Sequence, residues 1–275
     1  MKIKKKLGHG LTYVILVFLL VICILPFYVM IVNSSHTTNE LYVGLQILPG
    51  TAFFNNMKNL LARVNMGEGF LNSFIIAVSS TVLSVYFGTM TAFGLFEYRF
   101  KMKGLVYGVL MVSMMVPGQL GIIGLFRLCR NMNILDTYWP IILPSIANTG
   151  TIFFIYQFLK QSMDEGLLEA ARIDGSSEIQ IFHKFILPLA KPGIATMAIF
   201  NFVSYWNNFF NPMILLFSEE KFTVPLLINN MNSGMLQDLG AKYTAIAISI
   251  IPIIVIYCFF SKYITEGMMA GAVKG

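Results

Sequence analysis

Charge is what this chain has least of. Asp, Glu, Lys and Arg make up 12% of its 275 residues, about half the roughly one quarter typical of a soluble domain. That scarcity excludes an ordinary water-soluble globule. Cysteine is scarce too: Cys23, Cys129 and Cys258 stand far apart, which fits neither a disulfide framework nor a metal-ligand set. Of the three histidines, His9 and His36 lie outside any metal-binding spacing and His183 reads as a residue of a solvated face. The stretch G-x-x-x-x-G-K-[ST] is missing, so nothing is present to cradle nucleotide phosphates, and the chain is not expected to hydrolyse ATP itself. No Ser–His pair, paired carboxylates or H-E-x-x-H falls inside an apolar segment, which argues against an intramembrane enzyme. Internal repeats and low-complexity tracts are also missing.

What the chain has in quantity is apolar residues, 56% of the total, with a mean hydropathy of +0.72. They fall in blocks near the ~20 residues that cross a bilayer. The pattern predicts an all-α integral membrane protein with six spans, at Leu11–Val32, Phe70–Phe96, Leu105–Leu125, Thr137–Phe158, Ile194–Phe217 and Tyr243–Tyr263. The third and fourth are interrupted by "VPGQLGIIG" and by Pro140 and Pro144. With a cytoplasmic amino terminus (residues 1–10), thirteen Lys and Arg fall on inside segments and six on outside ones, which predicts both termini cytoplasmic. The basic excess is therefore topological, and nucleic acid is not an expected partner. "MKIKKKLGHG" before an apolar run is read as the start of a retained first span, because the run exceeds a signal-peptide core and ends without a small-x-small site.

Segment 160–193 carries most of the remaining charge between two apolar blocks. Ser162 and Glu165 fit a capping box, with Asp164 and Glu165 placed where a helix dipole favours them. That helix is expected to stop at Asp174-Gly175, where glycine supplies a left-handed turn. Ser177 and Gln180 make a second capping box. The helix they open should carry Ile179, Phe182, Phe185 and Ile186 on one side and end at Leu187-Pro188. The hairpin either packs on the spans or docks a cytoplasmic partner.

The residues Glu169-Ala170-Ala171, then Gly175, then Phe185, Ile186 and Leu187-Pro188 resemble the EAA loop of the membrane permeases of bacterial ABC importers. In that pattern Phe185 takes the place of isoleucine. "WNNFFNP" (206–212) and the terminal "GMMAGAVKG" (267–275) are similar to the carbohydrate-type permeases, specifically the MalG-like half of the maltose permease pair. The resemblance runs from the first span to the last glycine. It implies a type I importer permease core over 70–263 and a cytoplasmic tail over 264–275. It implies as partners a homologous second permease, two ATP-binding subunits and an extracellular solute-binding protein, with ATP and Mg held by the ATPases and no cofactor by this chain. Glu169, Ala170, Ala171, Asp174, Gly175, Phe182, Leu187 and Pro188 would couple to the ATPases, with Glu169 pairing to a basic residue there. The tail would reach toward the ATPase interface, and the substrate would be a carbohydrate. An amino acid or peptide is the alternative solute.

The fifth span holds Asn201, Ser204, Tyr205, Asn207, Asn208 and Asn211, within about 160° of a helical wheel at 100° per residue. Two readings are open. The amides and phenol line a cavity that suits sugar hydroxyls, or they bond neighbouring helices. Ser73, Ala77, Thr81, Ser84 and Gly88 form a small-residue seam for close helix contact. Residues Asn33–Gly69 and Ser218–Lys242 are expected as external loops. Buried ionisable residues and inverted repeats, which a secondary transporter would carry, are not evident.

Overall fold

The computed structural model describes residues 2–163, 165–231 and 238–272, with side chains for 12–163, 166–231 and 238–261. All of its regular structure is helical. The helices run α1 Lys2–Ser34, α2 Thr38–Val43, α3 Phe53–Arg63, α4 Met66–Glu97, α5 Lys103–Met115, α6 Ile122–Asn131, α7 Trp139–Ile142, α8 Thr149–Ser162, α9 Glu165–Ile173, α10 Glu178–Ile181, α11 Leu187–Leu189, α12 Lys191–Trp206, α13 Phe210–Leu215, α14 Val224–Asn230, α15 Leu239–Ser249 and α16 Ile251–Ala272.

Among the described residues, four stretches are long and apolar enough to cross a membrane alone: Thr12–Ser34, Met66–Glu97, Trp139–Ser162 and Leu239–Ser261. The count reaches six if each of two bent pairs is one span. The expected straight third span is the first of these. It breaks by 97° between Lys103–Met115 and Gly118–Asn131, because Pro117 removes a backbone donor and pushes Val116 out of the helical region, to ψ 123°. The fifth expected span ends early, at Trp206, and α13 follows as a separate short helix. The fourth carries a 3₁₀ turn, Leu143–Ala147, where Pro144 sits, before Asn148 caps α8 through Thr151 N at 2.9 Å. The helix expected to end near Tyr263 continues through Ala272, into the expected tail; residues 273–275 lie outside the described residues.

The chain divides into two compact units, Met1–Met66 with Leu227–Ile251, and Gly67–Leu226 with Pro252–Gly275. In the first, the stretch expected as an external loop carries two short helices, α2 and α3, packed on α15. Asn56 is buried and its amide donates to Ser34 O and His36 O at 2.8 Å each. A Cβ at Gly240 would fall 2.6 Å from the Asn56 amide oxygen, so only glycine lets α15 come this close to α3. Asp238 caps α15 at Ala241 N, accepts from Thr38 and Asn59, and lies 3.7 Å from Arg63. Its neighbours 232–237 lie outside the described residues.

In the second unit α4 is central, and its small-residue seam packs as the spacing implied. Ser73, Ala77, Thr81 and Ser84 are buried, and a Cβ at Gly88 would meet Thr151 Cγ2 at 2.8 Å. Near one end of α4, Ser73 accepts from Val224 N, and Asn72 donates to Glu220 O and Phe222 O while accepting from Tyr138. Asp136 completes that end. Its carboxylate accepts from Phe217 N, Ser218 N, the Ser218 hydroxyl and Lys221 Nζ. Burial raises its pKa, but those donors outweigh burial and hold the carboxyl well below the usual range.

Candidate functional site

The hairpin is built on one glycine. α9 ends at Ile173, and Gly175 takes φ +82°, the left-handed turn expected of it. The Ser177–Gln180 capping box then opens α10, with both reciprocal bonds present. The other expected box, at Ser162 and Glu165, falls in part on a side chain outside the described residues, that of Glu165. Ser162 is the last residue of α8 and its hydroxyl bonds back to Phe158 O at 2.7 Å, while Asp164 lies outside the described residues.

Leu187-Pro188 does not end the second helix. Residues Phe182–Ile186 widen into a π turn, in which Leu187 N bonds Phe182 O, and the chain stays helical through Leu189. The wide turn makes room for a proline that has no N–H to give and whose ring would crowd the preceding turn. The sharp bend comes after it: Glu178–Leu189 and Lys191–Trp206 meet at 76°.

This π turn also re-aims the apolar face. The stripe expected at Ile179, Phe182, Phe185 and Ile186 is instead Ile181, Phe182 and Ile186, all buried, with Phe185 packed beside them. Ile179 is 73% exposed. Leu168, Ala171 and Ala190 join the buried face against Ala92 and Phe93 of α4 and Ile155 and Leu159 of α8. The hairpin and the ends of two long helices therefore share one core.

Polar bonds reinforce the same joint. Arg172 donates to Glu97, the last residue of α4, and its Nε and Nη2 reach Glu178 at 2.8 and 3.3 Å. Tyr98 donates to Glu178 as well. Arg172 holds the Glu178 carboxyl below its ordinary range, with the Tyr98 hydrogen bond adding to it. Glu178 and Glu97 together push the guanidinium up. Partial burial, then the Glu178 bond, pushes the Tyr98 phenol up to about 12. His183 is exposed but not simply solvated. A carbonyl can only accept, so its Nδ1–H donates to Ile179 O at 2.8 Å, leaving Nε2 to accept from Tyr86 at 3.2 Å.

The eight hairpin residues singled out in the sequence therefore separate into two sets. Ala171 and Phe182 face inward, and Leu187 is partly covered. Glu169, Ala170, Asp174, Gly175 and Pro188 are exposed, joined by Ile173 at 86% exposure, which the sequence reading passed over. Glu169 makes no ion pair among the described residues. It lies on the wall of a cavity of about 540 Å³ lined also by Glu97, Arg99, Lys103 and Lys160.

The polar arc of the fifth span does not survive as one face. Asn201 is buried and donates to Ser84 and Thr151 at 3.0 and 2.9 Å, and those hydroxyls lie 3.1 Å apart. Tyr205 accepts from Asn148 at 3.1 Å. Asn207 caps the end of α12, so Asn208 and Asn211 leave the helix, and Asn208 Oδ1 accepts from Asn211 N at 3.2 Å. Trp206 is buried against Phe70 and stacked on Phe202. What faces outward is Phe200, Ser204 and Asn207, spaced i, i+4, i+7 along one stripe. Phe200 was missed because a polarity search does not select a phenylalanine.

The profile of the family described as binding-protein-dependent transport system inner membrane component matches residues 84–269, the helices and hairpin just described. The chain belongs to this family. As a permease of that family it is similar to the arabinooligosaccharides transport system permease protein AraQ of Bacillus subtilis (strain 168), 32% identical over 91% of this chain and 90% of the relative. It is also similar to the diacetylchitobiose uptake system permease protein NgcG of Streptomyces coelicolor, 31% identical over 96% of this chain and 89% of the relative. A solved chain from a bacterial ABC transporter involved in the import of the acidic polysaccharide alginate has the same fold. It matches at a TM-score of 0.80 with 22% identity, over 95% of this permease and 98% of that chain. The permease is thus an inner-membrane transport component and not an enzyme, with the all-helical type I importer architecture.

Proposed function

We propose that the permease carries a carbohydrate inward, as one half of a pathway shared with a homologous second permease. Two ATPase subunits would dock on the hairpin and hold ATP and Mg, and an extracellular binding protein would deliver the sugar. Both termini would be cytoplasmic, as the Lys and Arg distribution favours. The sugar assignment is supported by relatives named for arabinooligosaccharides and diacetylchitobiose. Ser204 and Asn207, exposed in line with Phe200, offer polar groups and an apolar face of the kind a passing sugar needs; Asn201 and Tyr205 are occupied within the bundle.

The observation that carries the coupling role is the division of the hairpin. Its inner side shares a core with α4 and α8, while Glu169, Ala170, Asp174, Gly175 and Ile173 stay open around one turn. A stiff element fixed on one side and open on the other can transmit a push from a docked subunit into the helices. The experiment replaces Glu169→Lys and Gly175→Pro and measures sugar uptake together with membrane insertion of the permease. Uptake should vanish with insertion retained. Unchanged uptake in both variants would overturn the coupling role.

A further inference from the structure

The end of α2 and the non-helical segment that joins it to α3 are apolar and exposed. Tyr42, Val43, Leu45, Ile47 and Leu48 are 63 to 87% exposed, and no charged residue occurs from Leu41 to Met57. Exposed apolar side chains in a row mark a surface that meets something other than water.

Where the segment lies decides what it meets. It does not lead away from α1 but folds back along it. Gly50 N donates to Ser35 Oγ, His36 Nε2 bonds Leu48 O at 2.8 Å, and Tyr28 Oη donates to Ile47 O at 2.6 Å. Tyr28 is six residues before Ser34, so its Cα lies about 9 Å inside the end of the helix at 1.5 Å per residue. Helical side chains tilt toward the N-terminus, so the phenol reaches no shallower than that. Ile47 therefore sits beside the apolar stretch Thr12–Ser34, not beyond it. That stretch has a mean hydropathy of 3.2, and Tyr13 to Leu25 are exposed on every side of the helix, as a lipid-facing span is.

We propose that residues 42–48 are an interfacial anchor, with Tyr42, Val43, Leu45, Ile47 and Leu48 seated among lipid at the end of the bilayer into which the C-terminal end of α1 projects. This rests on reading α1 as a membrane span. Lipid is the occupant because the segment continues the exposed surface of α1 at the same depth and carries no charge. Three of its carbonyls are answered from within: Gly44 O accepts from the Gln46 amide, Ile47 O from Tyr28 and Leu48 O from His36. A non-helical chain cannot enter the hydrocarbon centre with bare polar groups, but one with part of its backbone bonded can lie at the headgroup–acyl boundary, where water still reaches the rest and Tyr side chains also settle.

The test uses the complete transporter in lipid nanodiscs, with Leu45→Trp and Val43→Trp read against the parent emission. A third variant, Leu20→Trp, reports on α1 itself. Lipids brominated near the headgroup end of the acyl chain should quench the Leu45→Trp and Val43→Trp emission, which should be blue-shifted and protected from iodide. Iodide quenching without bromolipid quenching would place the segment in water and overturn the proposal. Protection from both quenchers would mean that a protein subunit covers it, which also overturns it. Leu20→Trp separates the two readings. If it is quenched by bromolipid while the other two are not, only the anchor fails; if it is not quenched either, α1 is not a lipid-facing span and both fail.

Discussion

Arg172 of the hairpin donates to Glu97 at the very end of α4, and the same guanidinium grips Glu178 on the far side of the Gly175 turn. One side chain thus ties both helices of the hairpin to a long membrane helix. Arg172→Ala should loosen that joint by about 2 kcal/mol, the scale of a hydrogen bond to a charged group. In the reconstituted importer, uptake should fall more than ATP hydrolysis does, since the ATPases would still dock. A parallel fall in both would show that Arg172 only maintains the fold.

The joint should also fail at both extremes of pH. The Glu178 carboxyl is held below its ordinary 4.5, so its contribution is complete above that value and drains as pH falls through the lowered one. Tyr98 moves the other way, up to about 12. Its share is complete below its ordinary 10 and is lost as pH rises from there to about 12. A tyrosinate titration of the parent minus Tyr98→Phe should show one phenol ionising late. Glu178→Gln should bring that phenol back toward its ordinary value.

Asn201 is a strut inside the bundle. Asn201→Leu removes an amide that links Ser84 of α4 to Thr151 of α8, although the two hydroxyls can still bond each other. Buried bonds of this kind in a membrane bundle contribute about 0.6–1.7 kcal/mol. Thermal unfolding of the purified transporter should show a modest loss of that size. Ser204→Ala and Asn207→Ala, on the open stripe, should leave unfolding unchanged and alter uptake instead.

Gly193 is packed against a ring. A Cβ there would stand 2.9 Å from Cγ of Phe158, itself buried, so Gly193→Ala must push α12 from α8 at a cost of about 1–3 kcal/mol. Phe158→Leu in the same chain should recover part of the loss in the same unfolding measurement. Failure to recover would mean that the backbone at 193, not the ring contact, sets the cost.

The helical class, the long apolar helices and the small-residue seam of α4 were legible because each depends on local composition or spacing. The Gly175 turn and the Ser177 cap were legible for the same reason, since φ preference and a reciprocal side-chain bond act within four residues. What could not be read depends on contacts far apart in the chain. Asn201 looks like a cavity residue until Ser84 and Thr151 are beside it. Arg172 gives no hint of Glu97, seventy-five positions away. Helices α2 and α3 hide in an expected loop because Asn56 and Asp238 hold them through tertiary bonds. Ile179 was assigned inward because a regular 3.6 period was carried through a turn that is not regular.

That widened turn, Phe182–Ile186, contains one residue more than a regular helix would use. Were the same five residues wound as a regular helix, everything before them would be turned by about 100° relative to α12. Glu169 and Ile173 would then look along a different bearing, even with every side chain still chemically intact. The segment can tolerate many changes of spelling, but the width of its winding is a fixed angular setting between what pushes and what is pushed.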